Sequence, residues 1–234
     1  MKFYVGLPQP AAAQHFKRAF VSVNRLRGRT KLLGAKKWIM DSGAFTELST
    51  YGQYRHTVEE YAEQVNRWTH DPALVCVVSQ DYMCEPFIIA KTGLSVHVHQ
   101  VRTIERYEEL LQRTKLSVMP VLQGYEVKDY LRHVKMYGGL LPQNAYVGVG
   151  SICKRNINVG TIAEILTAIK DLRPDIRLHG FGLKITSLAS RSVQDALESA
   201  DSMSWSFAAR INGRDQNDWR EAKKFVDQIE RLLR

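Results

Sequence analysis

Two carboxylates facing one pocket can divide a glycosyl substitution between them. One attacks the sugar carbon, and the other handles the proton of the departing group. Asp41 and Asp201 are the candidates, each in a polar break within apolar surroundings. Asp41 opens Asp41-Ser42-Gly43-Ala44-Phe45, directly after the apolar run Trp38-Ile39-Met40. A carboxylate, a hydroxyl and a glycine at a strand end, with an aromatic just beyond, suit holding a flat polar ring and moving a proton. A single aspartate more often caps a helix or joins an ion pair. The company Asp41 keeps separates these readings, because similar polar punctuation closes other apolar runs: Gln80-Asp81, Gln123-Gly124, Gly148-Val149-Gly150 and Gly180-Phe181-Gly182. Asp81 could accept from ring N–H groups or cap a turn. Gln123-Gly124 offers an amide beside unhindered backbone. His97 and His99 have a spacing that binds metal from a strand, but no cysteine pair or acidic partner stands at a matching spacing, and a non-metal role is expected. Gly148-Val149-Gly150 is not a dinucleotide fingerprint, because Ser151-Ile152-Cys153 breaks the glycine pattern.

The elements that would position these residues are eight apolar runs separated by helical spacing. The strands are expected at Phe3–Leu7, Phe20–Val23, Trp38–Asp41, Leu74–Ser79, Ser117–Leu122, Tyr146–Gly150, Arg177–Gly182 and around Asp201–Ser206. Val58, Tyr61, Ala62, Val65 and Trp68 share one helical face, as do Ile162, Ile165, Leu166 and Ile169. The alternation predicts an α/β fold, a (β/α)8 TIM-like barrel, with a doubly wound open sheet as the alternative. Pro8 to Arg18 barely makes a helix. In a barrel, the strand ends that lead into helices form the catalytic face, so Asp41, Asp81, Gln123, Gly124, Gly150, Ser151 and Lys184 would ring one mouth. Late barrel loops often bind phosphate, which points to Lys184, Arg210 and Arg214; surface ion pairing is their competing role.

At 234 residues one domain spanning 1–234 is expected, with 44% hydrophobic and 24% charged residues. No apolar run is long enough to cross a membrane, and the N-terminus lacks a signal-peptide layout. Three scattered cysteines, Cys76, Cys84 and Cys153, argue for reduced thiols and a cytoplasmic location. The net charge is +9, and nine basic residues precede Asp41, the first acid in the chain. Arg25, Arg27 and Arg29 lie in that stretch. Such a concentration suits a polyphosphate partner, or else a solvated basic face.

The ordered motifs resemble the tRNA-guanine transglycosylase superfamily. Asp41-Ser42-Gly43-Ala44-Phe45, Val121-Leu122-Gln123-Gly124, Tyr146-Val147-Gly148-Val149-Gly150 and His179-Gly180-Phe181-Gly182 are each similar to a motif of it, and they keep its order. With His99-Gln100-Val101-Arg102-Thr103 and Ala200-Asp201-Ser202-Met203-Ser204-Trp205-Ser206, they resemble most the compact phage and bacterial branch, the deazapurine-in-DNA protein A (DpdA) family. That resemblance implies exchange of guanine in DNA for a 7-deazaguanine such as preQ0. Asp201 would be the nucleophile at C1′ and Asp41 the general acid/base. Ser42, Asp81, Gln123, Gly124, Gly150 and Ser151 would form the base site, Phe45 would stack on the ring, and His179 would replace a family methionine on the opposite wall. The basic N-terminal region with Arg210 and Arg214 would hold phosphates.

A different alignment of the last strand places Ser204, instead of Asp201, at the nucleophile position. With a strand around Asp201–Ser206, Asp201 would lie early in it. The Cys-x-Cys-x-x-Cys zinc cluster of the tRNA enzymes is missing from this sequence, which favours a polynucleotide other than tRNA. No metal or redox cofactor is expected; a free 7-deazaguanine base is the co-substrate. The partners implied are DNA and that base, with no membrane, and with an accessory protein for duplex opening left open. The location would be the host cytoplasm for a phage-encoded chain. The alternatives are a transglycosylase acting on RNA, a barrel glycosidase, or an inactive nucleic-acid-binding barrel.

Overall fold

The computed structural model describes residues 1–153 and 158–233. Among the described residues, nine short strands form one all-parallel sheet: β1 Lys2–Gly6, β2 Arg18–Ser22, β3 Lys37–Asp41, β4 Leu74–Val78, β5 Val118–Met119, β6 Val121–Leu122, β7 Tyr146–Val149, β8 Arg177–Gly180 and β9 Ser199–Ser202. Their order is β5-β4-β3-β2-β1-β9-β8-β7-β6. The two ends of this order, β5 and β6, are separated in sequence only by Pro120. They are halves of one strand. Ser79 N–H donates to Met119 O on the β4 side at 3.0 Å, and Gly148 N–H donates to Pro120 O on the β7 side at 2.8 Å. Proline lacks an N–H and interrupts the ladder, yet the sheet closes around it into the expected eight-stave barrel.

The crossover helices are α1 Ala44–Tyr51, α2 Val58–Asn66, α3 Pro86–Thr92, α4 Val96–Arg113, α5 Val127–Tyr137, α6 Val159–Leu172, α7 Ile185–Leu188, α8 Arg191–Ala196, α9 Ser204–Ile211 and α10 Trp219–Leu232. The first crossover is only a 3-10 segment, Pro10–His15. Thr57 and Glu60 form a reciprocal capping box that starts α2. The apolar face of α6, Ile162, Ile165, Leu166 and Ile169, is fully buried. Each such side chain contributes about 1.5–3 kcal/mol through burial.

The last strand differs from expectation. It runs Ser199–Ser202, and Ser204 already begins α9. Asp201 therefore lies near the exit of its strand, not early in it. Ser199-Ala200-Asp201-Ser202 has weak strand character, but all four residues are buried between β1 and β8.

Among the described residues the buried apolar side chains form three clusters, one of them a small group that includes Leu48 of α1 and Ile88 of α3. A large one lies between barrel and helices. Another small one fills the barrel interior: Tyr4, Ile39, Cys76, Val78, Met119 and Val121, with Phe20, Tyr146 and Phe181 packed on it. Side chains alternate along a strand. The residue two beyond an inward apolar side chain therefore also points inward, one layer higher. By this count Ile39 leads to Asp41, Val121 to Gln123, and Phe20 to Ser22.

Candidate active site

Those upper-layer residues line a cavity of about 350 Å³ at the strand exits, within the range of small-molecule sites. Asp41, Asp81, Gln123, Gly150, Ser151 and Asp201 all border it. Phe45, in the first turn of α1 and 48% exposed, stands at its rim.

Asp41 ends β3. Gly43 follows at φ 79°, a left-handed conformation that favours glycine, and its N–H donates to Asp41 Oδ2 at 3.1 Å. A Cβ there would also press on the Asn24 amide at 2.5 Å. Burial, and after it the neighbouring charge of Asp201, raises the Asp41 pKa to about 6 against the opposing hydrogen bonds from Gly43, Ser22 and Ser42. Asp201 is buried. Its Oδ1 lies 3.1 Å from Gly182 N–H and 3.3 Å from His179 Nε2. Its Oδ2 has no hydrogen-bond partner among the described residues.

Asp81, Gln123 and Ser151 form a polar wall. Gln123 Nε2 donates to Asp81 Oδ2, and Ser42 Oγ sits 3.5 Å from Asp81 Oδ1. Gln123 Oε1 lies 2.6 Å from Ser151 Oγ, which accepts from Cys84 N–H at 2.8 Å. Ser151 has φ 56°, a strained value for a residue with a side chain. A Cβ at Gly150 would fall inside the Gln123 amide, so only glycine lets the amide reach Asp81. Burial pushes Asp81 to about 7; the Gln123 hydrogen bond opposes this, and the charges of Asp41 and Glu85 add to it.

The other expected site residues fall elsewhere. His179 is fully buried beneath Asp201, stacked on Phe20 at 5.5 Å, and does not border the cavity as an opposite wall. Gly124 packs against Asp129 and Tyr130 instead of the cavity. Ser42 is buried behind Asp81. Of the arginines in the basic N-terminal stretch, Arg25 borders the cavity. The backbone carbonyls of Arg27 and Arg29 accept from Arg67 at the end of α2, and neither residue borders the cavity. Lys184 and Arg214 line a separate depression between α7, α9 and α10, where Arg214 pairs with Glu221 at 2.6 Å. Arg210 lies over the ring of Phe207. His97 and His99 are on α4, not on a strand, and His99 is held by Met83 O at 2.6 Å and Thr92 Oγ1 at 2.8 Å. Among the described residues no group of three or more His, Cys, Asp or Glu could hold a metal ion, and no helix is long and apolar enough to cross a membrane.

Sequence reasoning missed the supports. Glu85, 1% exposed, has Oε2 at 2.8 Å from Ser151 Oγ. The Gln123 backbone is fixed from both sides. Its N–H donates to His133 Nδ1 at 2.8 Å, and its carbonyl accepts from Gln100 Nε2 at 2.7 Å. Burial drives His133 down to about 3 and keeps it a neutral acceptor. Only position 100 carried a signal, through its motif.

The family DpdA, DeoxyPurine in DNA protein A, matches residues 1–217. The chain belongs to the DpdA family. Membership supports a DNA-modifying, transglycosylase-like role. The match spans every strand and stops just before α10. No curated protein matches the chain.

One stability test follows for this DpdA protein. The folded state holds Asp81 at about 7, above its unfolded value of about 3.9. The folded state therefore binds the proton more tightly, and the charged form costs stability as pH rises through 7. The penalty is absent below about pH 4 and amounts to at most roughly 4 kcal/mol above pH 7. Asp81→Asn keeps an acceptor for Gln123 and should raise Tm at pH 8, with the gain fading toward pH 4. Equal Tm changes at both pH values would show that burial does not oppose its ionisation.

Proposed function

We propose that this protein exchanges guanine in DNA for a 7-deazaguanine through a covalent aspartyl-glycosyl intermediate on Asp201. One observation supports the reading above all: a buried carboxylate with one oxygen held and the other without a partner shares a cavity with a second carboxyl poised near neutrality.

The target deoxyguanosine would leave the duplex to present C1′, as enzymes acting on a base require. Asp201 Oδ2 attacks C1′, and the bond from C1′ to the base nitrogen breaks. Asp41 in its protonated form gives that proton to the departing guanine. The sugar stays in the strand, esterified to Asp201. A free 7-deazaguanine then enters, gives its ring N–H proton to Asp41, and attacks C1′. The ester bond breaks and the Asp201 carboxylate is restored. Splitting one substitution into two lowers each barrier. Asp81, Gln123 and the Gly150-Ser151 backbone would read the polar edge of both bases, which explains how one site serves both. Phe45 would stack on the ring, and Arg25 would meet phosphate. The chemistry as written calls on no metal or redox cofactor.

Purified protein incubated with duplex DNA or tRNA, and with labelled guanine or preQ0, tests this directly. Label entering DNA is expected. Label entering tRNA alone would move the activity to RNA, and DNA binding with no label and no adduct would leave a binding protein.

A further inference from the structure

The lower layer of the barrel contains a line of polar groups that the exchange chemistry does not use. Tyr146, His179 and Ser199 come from three adjacent strands, β7, β8 and β9. Their polar atoms run toward Asp201. Tyr146 OH contacts Ser199 Oγ; Ser199 Oγ lies 2.7 Å from His179 Nδ1; His179 Nε2 lies 3.3 Å from Asp201 Oδ1. Tyr146 OH is also 3.3 Å from His179 Nδ1. His179 and Ser199 are fully buried. The imidazole cannot turn freely: Phe20 stacks on it, and Phe181 meets its ring edge-on at 4.9 Å.

The donors and acceptors in this line can be counted. Burial pushes the Tyr146 phenol far up, so it stays protonated. An ionised carboxylate only accepts, and a neutral imidazole donates from one nitrogen and accepts at the other. The arrangement that satisfies every partner runs one way. Tyr146 donates to Ser199, Ser199 donates to His179 Nδ1, and His179 Nε2–H donates to Asp201 Oδ1. The opposite tautomer would set a lone pair of Nε2 against a carboxylate oxygen.

We infer that His179 is a positioning residue for Asp201, with Tyr146 and Ser199 fixing the tautomer that lets it donate. The inference rests on the reading in which Asp201 attacks C1′. Held by His179 and by Gly182 N–H, Oδ1 fixes the rotation of the carboxylate and directs Oδ2 into the cavity. When Oδ2 forms the ester, Oδ1 becomes its carbonyl oxygen. When the second base displaces the ester, charge returns to the carboxylate, and the same two donors receive it. Donors aimed where charge develops act without reorganisation.

Four variants of the whole chain test this, together with nitrogen-detected NMR of the imidazoles. The parent spectrum should show His179 protonated at Nε2, with the signal shifted in Asp201→Asn. In single-turnover reactions with guanine-containing DNA, His179→Leu should slow adduct formation about 100-fold, the cost of losing one such donor, with DNA affinity unchanged. His179→Gln places an amide N–H near the former Nε2 and should restore the rate to within about tenfold of the parent, and Ser199→Ala should lose about tenfold, as supporting contacts do. Protonation at Nδ1, an unaltered rate in His179→Leu, or a glutamine variant as slow as the leucine one would overturn the assignment. The glutamine and serine variants decide the matter where the leucine variant fails to fold. A parent that forms no adduct, yet shows Nε2–H coupled to Asp201, would overturn the exchange reaction and retain the contact.

Discussion

Asp201→Asn is expected to bind DNA as the parent does, to form no covalent adduct, and to lose exchange by roughly 10⁴-fold or more, the scale for removing a group that makes the bond. Asparagine fits the same space, and its Oδ1 still accepts from Gly182 N–H and His179. What it lacks is the anionic oxygen that attacks. Mass spectrometry of denatured protein after mixing with guanine-containing DNA reads the outcome. An adduct that survives in Asp201→Asn but disappears in Ser204→Ala would transfer the role to Ser204. The geometry speaks against that. Ser204 starts α9 and borders the depression beside α10, while the cavity is bordered by Asp201.

Asp41→Asn should lower exchange by about 10²–10⁴-fold, the contribution of a positioned general acid/base, and should remove the pH dependence of both half-reactions. The sign follows from the raised pKa of about 6. In the proposed exchange guanine expulsion uses protonated Asp41, so adduct formation should fall as pH rises through 6. Capture of the adduct by the second base uses ionised Asp41, so that step should rise over the same interval. Single-turnover rates of the two steps, measured separately from acid to mild alkali, would therefore cross. Parallel profiles would remove Asp41 from proton transfer.

Much of the barrel could be read from the sequence because most of its strands are apolar runs and its helices keep a clean 3.6-residue face. The last strand could not be placed by those signals. Ser199-Ala200-Asp201-Ser202 is polar, and it is held by pairing with β1 and β8, not by its own composition. At the site, Asp41, Asp81 and Gln123 were legible as polar residues closing apolar runs, Asp201 only as an acid in a polar break, and the cavity gathers all four. The phosphate assignments fared differently. Lys184, Arg210 and Arg214 follow late strands, but a place after a strand does not say which way a long side chain turns, and Arg214 pairs with Glu221. Depth within the barrel was the other blind spot. His179 and Gly180-Phe181-Gly182 read as one motif, yet period-two alternation sends His179 to the lower layer and Phe181 to the cavity. Glu85 and His133 belong to no strand end and gave no signal.

The ring of Phe181 rests on Gly148, where any Cβ would run into it. Phe181 thus acts as a depth stop. It has no room to sink farther when a bulkier ligand arrives, and a side chain at 148 would lift it and make the well shallower. In the proposed exchange, tolerance for larger substituents on an incoming base would then be set by two apolar positions rather than by the polar residues around it. Broadening the range of accepted bases would begin with a smaller residue at 181, which deepens the well while leaving both acids on their strands.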